Sequence, residues 1–358
     1  MVKKVTFPHM GNLNIGMKAL FKETGINAVI PPDNSKKTLD LGVKYAPEHA
    51  CLPLKITLGN FIEALEKGAN LILMGGGRGP CRFGYYGEVQ KEILRDLGYE
   101  FEMICLEPDL KMMYKKFREL FKGCSFKDIF NGLKLALKKL SAVDKMDQVV
   151  AKNRGREEKE GQIDSIFTDY LKKIDQASTF KKIKELEENH IEKIKTSVGR
   201  YKRGIELKIG IVGEIYLVIE PFANLEIEKK LGNLGVSVAR EIYITTWLKE
   251  FLNIGKHDRI VKKFARSYLK NFVGGHGIHT VGDTVRYSRD GFDGVIQIGP
   301  FTCMPEIVAK TILNEVEEKE NISTLSFFMD EHRGEAGFKT RLEAFVDLLE
   351  RKKRDKSA

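Results

Sequence analysis

The sequence predicts an α/β protein of two doubly wound parallel-sheet domains joined by a helical connector. Three observations predict it. Short apolar runs alternate with amphipathic stretches before residue 108 and again after residue 206, the amphipathic stretches end on glycine, and the charged segment between them carries no strand signal. The expected division is 1–108, 109–205 and 206–358, in keeping with domains of roughly 100 to 200 residues.

In the first domain, strands are expected over 5–7, 26–30, 71–74 and 101–106, with helices ending near Gly25, Gly68 and Gly98. Glycine just past a helix adopts the left-handed conformation without a Cβ penalty and so marks the stop. Pro31 and Pro32 close the second strand, since proline donates no ladder hydrogen bond. The connector is long, charged and helical, with Ile183, Leu186, Ile191 and Ile194 near helical spacing and a break expected at Gly155 and Gly161. The second domain restarts the βαβ rhythm with LKIGIVG from Leu207, a helix over 224–234, the apolar run VSVAREIYI, strands over 294–299 and 323–330, and a final helix over 338–349.

Composition narrows the function. The chain has 42% hydrophobic residues and no apolar run of about 18 residues, so no membrane span is expected. The opening MVKKVTFPHMGNLNIG has no apolar core or small-residue cleavage site, and a cytoplasmic location is expected. A net charge of +10 is offset by interleaved acids, as in KKIKELEENHIEKIK, and no nucleic-acid motif accompanies it, so no nucleic-acid partner is expected. Five cysteines, odd in number and widely spread, fit a reducing compartment in which burial, metal binding or reactivity accounts for them.

Cys81, in LILMGGGRGPCRFGYYG, and Cys303, in GVIQIGPFTCMPE, each follow a strand's carboxyl end in a loop that contains glycine. Open α/β sheets bind ligands at such positions. Cys51, in PEHACLPLK, stands just ahead of a helix, whose N-terminus favours the thiolate that binds metal. Three soft thiolates converging in a cleft suit iron–sulfur or zinc, and leave one coordination position open. Cys105, inside the apolar strand FEMICL, and Cys124, at the start of a basic helix, read as ordinary packed cysteines. The GGGRG run resembles a phosphate cradle but lacks the Lys-Ser/Thr of a P-loop and the full GxGxxG spacing.

Taken together, ACLPLK, GPCRFGYYG, VGEIYLVIEPFANLEIEKKL, GGHGIH, GPFTCMPE and DEHRGEAGFKTRLEAF make the chain resemble the 2-hydroxyacyl-CoA dehydratase component and the related CoA-enzyme activase family, including the branch with double-cubane clusters. The resemblance implies two flavodoxin-like domains and a 4Fe-4S cluster on Cys51, Cys81 and Cys303. It also implies an ATP-hydrolysing activase partner that delivers one electron at very low potential. On this reading the chain reduces or dehydrates a small substrate, acyl-CoA or another, at the open iron. The alternative is a non-catalytic cluster-carrying or electron-transfer subunit of a larger complex. A second subunit, identical or paralogous, is expected to shield the cluster from water and oxygen.

Among polar residues, Glu214 after the strand in IVGE, His276 and His279 in a glycine-rich loop, and Asp330, Glu331, His332 and Glu335 after the last strand are the candidate acid–base groups. Glu214, His276 and Glu335 are the catalytic candidates. The acids of DEHRGEAG have a second role open to them, stabilising the helix they precede.

Overall fold

The computed structural model describes residues 2–77, 81–107, 109–252, 255–332 and 334–357. By closeness in space the chain divides into two compact units, 1–140 with Phe301–Cys303, and 141–300 with 304–358.

The first unit begins β1 (Lys4–Thr6), α1 (Leu13–Thr24), β2 (Asn27–Ala28), α2 (Lys36–Tyr45), α3 (Leu52–Glu66), β3 (Leu71–Gly75), α4 (Tyr86–Asp96) and β4 (Glu102–Leu106). Its four strands are all parallel, in the order β2-β1-β3-β4. The strand expected over 26–30 is shorter than anticipated. Val29 N–H still donates to Val5 O at 2.8 Å, but Pro31 and Pro32 have no N–H with which to extend the ladder.

Helix α3 is buried from Leu52 through Leu65. That is possible only because its polar side chains have partners. Asn60 Oδ1 accepts from His9 N–H at 2.8 Å and its Nδ2 donates to Pro32 O at 3.0 Å, so one side chain holds the loops after β1 and β2. Gln90 Nε2 donates to Thr57 Oγ1 at 2.7 Å, and Thr38 Oγ1 donates to Glu63 Oε2 at 2.6 Å. Helices α2 and α3 cross backbone to backbone. A Cβ on Gly42 would stand 1.7 Å from Lys55 O, and one on Gly59 would stand 1.8 Å from Thr38 O.

Between the sheets in sequence run α5 (Leu110–Leu120), α6 (Phe126–Asn153), α7 (Gln162–Gln176) and α8 (Phe180–Lys195). The break expected near Gly155 and Gly161 is present, with a 3-10 turn at Arg154–Arg156 and Gly161 capping α7 at φ 77°. Ile183 and Ile194 are fully buried, Leu186 is buried and Ile191 is half-buried.

The second unit continues with β5 (Leu207–Gly213), α9 (Ile215–Ile219), α10 (Ile227–Asn233), β6 (Val236–Arg240), α11 (Ile244–Phe251), α12 (Lys256–Ala265), α13 (Gly277–Arg289), β7 (Gly294–Pro300), α14 (Met304–Glu320), β8 (Ser323–Met329) and α15 (Glu335–Ser357). Its sheet is again all parallel, ordered β6-β5-β7-β8. The protein thus has two flavodoxin-like α/β domains, each with a topological switch point beside its first strand, where the strand order reverses and such sheets build their sites. Among the described residues, no helix is long and apolar enough to cross a membrane.

Candidate functional site

Cys51 caps α3, with its backbone extended and its side chain buried. Its sulfur is hydrogen-bonded to the Tyr86 hydroxyl. Cys81 begins the 3-10 turn Arg82–Tyr85 that leads into α4. Arg82 Nη1 donates to His49 O at 2.6 Å. Two links thus hold the segment bearing Cys81 against the segment bearing Cys51. Gly75, Gly76 and Gly77 of the GGGRG run are described, whereas Arg78 and Gly79 lie outside the described residues.

Cys303 follows β7 in the stretch Phe301–Cys303, which groups with the first unit. The residue before it, Thr302, has φ 73° and a buried hydroxyl with no hydrogen-bond partner. A β-branched residue in the left-handed region costs on the order of 1–3 kcal/mol and persists only where its surroundings impose it. Three thiol donors in segments belonging to one unit are a donor set that fits an iron–sulfur cluster.

The two remaining cysteines pack. Burial pushes the Cys105 thiol up, and a Cβ on Gly87 would stand 2.2 Å from its sulfur. Cys124 Sγ donates to Thr24 O at 3.4 Å.

In the second unit, Glu214 caps α9, its carboxylate accepting from Tyr216 N–H at 3.1 Å and Leu217 N–H at 3.0 Å. Burial nonetheless pushes its pKa up to about 6. Glu306, near the start of α14, is completely buried. Thr280 Oγ1 lies 2.9 Å from its Oε2, and Gln297 Nε2 donates to the same oxygen at 2.9 Å. Burial raises Glu306 to about 7 against the pull of those two bonds, and the charge of Glu214 pushes the same way. Two acids that electrostatics couples, poised near neutrality after the first and third strands of a doubly wound sheet, are a marker of proton handling.

His276 is the N-cap of α13, and His279 lies within that helix rather than in a loop. The glycines of GGHGIH suggest a loop, yet Gly277 already begins the helix. Its first turn stacks the two imidazoles, with ring centroids 4.5 Å apart. Both residues are buried, with Nδ1 of each lacking a hydrogen-bond partner. Glu250 on α11 and His257 and Asp258 on α12, none of them singled out by the sequence, join them. His257 Nδ1 lies 3.1 Å from Glu250 Oε1 and its Nε2 lies 3.1 Å from Asp283 Oδ1. Burial opposes charge on His257, but these two carboxylates push it up to about 10. Burial likewise opposes charge on Glu250, and the three imidazoles outweigh it to hold its carboxyl well below the usual range.

Glu335 stands apart. It opens α15, is 68% exposed as a side chain and pairs with Lys230 at 2.9 Å, the arrangement of an acid at a helix N-terminus.

Residues 10–75 match the family model described as CoA enzyme activase uncharacterised domain (DUF2229). The first unit carries a CoA-enzyme-activase-related domain. The matched stretch runs from the residues before α1 to the end of β3 and includes Cys51 but neither Cys81 nor Cys303. No curated protein matches the chain.

Proposed function

We propose that Cys51, Cys81 and Cys303 hold a 4Fe-4S cluster and that this CoA-enzyme-activase-related chain is an iron–sulfur redox subunit of the 2-hydroxyacyl-CoA dehydratase type. It takes a low-potential electron from an ATP-hydrolysing activase partner and reduces or dehydrates a small substrate, such as an acyl-CoA thioester. The observation that carries this reading is the grouping of all three cysteine-bearing segments in one compact unit. The activase-related match over residues 10–75 supports it.

When bound, a cluster on three thiolates supplies one-electron chemistry and one iron with a free coordination position. The protein's own residues do the rest. The N-terminus of the 15-residue helix α3 favours the Cys51 thiolate. The Tyr86 hydroxyl donates to that thiolate and fixes its rotamer, one of the levers that tunes a metal site. Glu306, with its pKa near 7, holds a proton on its carboxyl and can give it up near neutral pH. A second subunit, a copy or a paralogue, completes the exclusion of water.

Anaerobic purification with iron and acid-labile sulfide analysis tests the proposal. About four irons and four sulfides per chain are expected, with both falling sharply in Cys51→Ser, Cys81→Ser and Cys303→Ser. Wild-type protein without iron, or Cys81→Ser with its iron intact, sinks it.

A further inference from the structure

Three helices of the second unit bring together a set of nitrogen and oxygen donors that the cysteine site does not use. A Cβ on Gly282 would stand 2.4 Å from Val261 O, so α12 and α13 lie backbone against backbone at that glycine. This close crossing sets His257 and Asp258 beside His279 and Asp283. Glu250 Oε1 then lies 3.1 Å from His257 Nδ1 and 3.8 Å from His279 Nε2. One ligand-capable atom from each of the three lies within 4.8 Å of the other two. A tetrahedral ion with bonds of about 2.0–2.1 Å spaces its ligands about 3.4 Å apart. The two separations to Glu250 Oε1, 3.1 and 3.8 Å, bracket that value.

We propose that Glu250, His257 and His279 form a site for a divalent cation of the zinc type, separate from the cysteines, with a fourth position open to water or a carbonyl oxygen. Two further observations point to a ligand. His279 Nδ1 lacks a hydrogen-bond partner although the residue is only 9% exposed, and Glu250 Oε2 has only the ring of His276, its Nε2 3.2 Å away, for a partner. Buried polar atoms without partners are costly, and a bound ion would relieve that cost. The surrounding carboxylates also stand where metal-binding imidazoles need them. Asp283 Oδ1 lies 3.1 Å from His257 Nε2, the nitrogen turned away from Glu250, which is how a carboxylate fixes the tautomer and orientation of a ligating histidine. Asp258 Oδ1 lies 3.3 Å from His279 Nε2. Two imidazoles with one carboxylate select zinc, cobalt or nickel over magnesium or calcium, which prefer oxygen donors. With three protein ligands, the set matches zinc sites that keep a position free for chemistry.

The experiment is Co²⁺ titration of the full chain after chelation, read by visible absorption and by metal analysis on the desalted protein. The expected result is one ion per chain with ligand-field bands and no thiolate charge-transfer band, displaced by Zn²⁺ and unchanged in Cys81→Ser. His279→Ala and Glu250→Gln should weaken binding on the order of 100-fold or more, and Asp283→Asn about 10- to 100-fold. Circular dichroism checks the fold of each variant, and His279→Gln, closer in size, replaces His279→Ala if the latter unfolds. No bound ion at millimolar Co²⁺, or a spectrum with thiolate charge transfer that Cys81→Ser abolishes and His279→Gln keeps, overturns the proposal. Because the cysteine variants and the histidine variants are read separately, failure of this site leaves the iron–sulfur reading standing, and the reverse also holds.

Discussion

The two sheets share one strand order, yet their interiors differ in kind. Around α3 in the first unit, the buried Thr57, Asn60 and Gln90 are neutral and each makes a hydrogen bond, buried Glu63 is held by Thr38, and buried Lys55 donates to Glu48 O. In the second unit the buried polar groups include a cluster of ionisable ones. Glu306 is shifted up to about 7, and His276 and His279 each carry a ring nitrogen with no hydrogen-bond partner. One topology thus serves once as a rigid frame for cysteines and once as a titratable enclosure. The difference lies in side chains on helices and loops and, at Gln297, on a strand.

The sharpest way to break the comparison is at the α2–α3 crossing. Gly59→Ala places a methyl group 1.8 Å from the Thr38 carbonyl, and neither backbone can yield without disturbing a buried helix. A loss of more than about 3 kcal/mol is expected in urea denaturation, and a loss under 1 kcal/mol would mean the frame is softer than its packing implies.

The second unit should instead respond to pH. Glu306 has a folded pKa of about 7 against an ordinary value of 4.5, so the folded state binds the proton more tightly than the unfolded chain does. Its stabilisation is complete below pH 4.5 and is lost as pH rises through 7. Glu306→Gln removes this dependence. Relative to wild type, the variant should therefore gain on the order of 3 kcal/mol between pH 4.5 and pH 8, measured by urea denaturation at both values. Equal slopes in the two proteins would refute the buried-acid reading.

The smallest effect lies at the N-terminus of α2, where Ser35 and Thr38 cap each other reciprocally. Ser35→Ala should cost about 1 kcal/mol, with little pH dependence, as befits the neutral frame.

All eight strands can be located in the sequence because each is an apolar run closed by a turn residue, and that signal is local. The caps are also local, including Gly161 before α7 and the placement of Cys51 ahead of α3. By contrast, α2 escapes notice because SKKTLDLGVKY has a narrow apolar face and a glycine in its interior. That glycine breaks helix propensity but is required by the crossing with α3. The partners of His276 and His279 escape notice for a different reason. Glu250, His257 and Asp258 lie 18 to 29 residues away in sequence, and it is the contact of α12 with α13 at Gly282 that brings His257 and Asp258 near. Glu306 is similarly invisible, because its burial depends on Thr280 and Gln297 from two other elements. Sequence periodicity reports which face of an element is apolar. It does not report which buried carboxylate will find a partner.

Helix α3 carries one further consequence. From Leu52 to Leu65 it has no solvent-facing side, and its N-cap is Cys51. A systematic substitution library should therefore find this helix the least permissive stretch of the first unit on both faces, polar positions included. Because the same helix begins at Cys51, a substitution anywhere along it is felt at the N-terminus that positions that thiol.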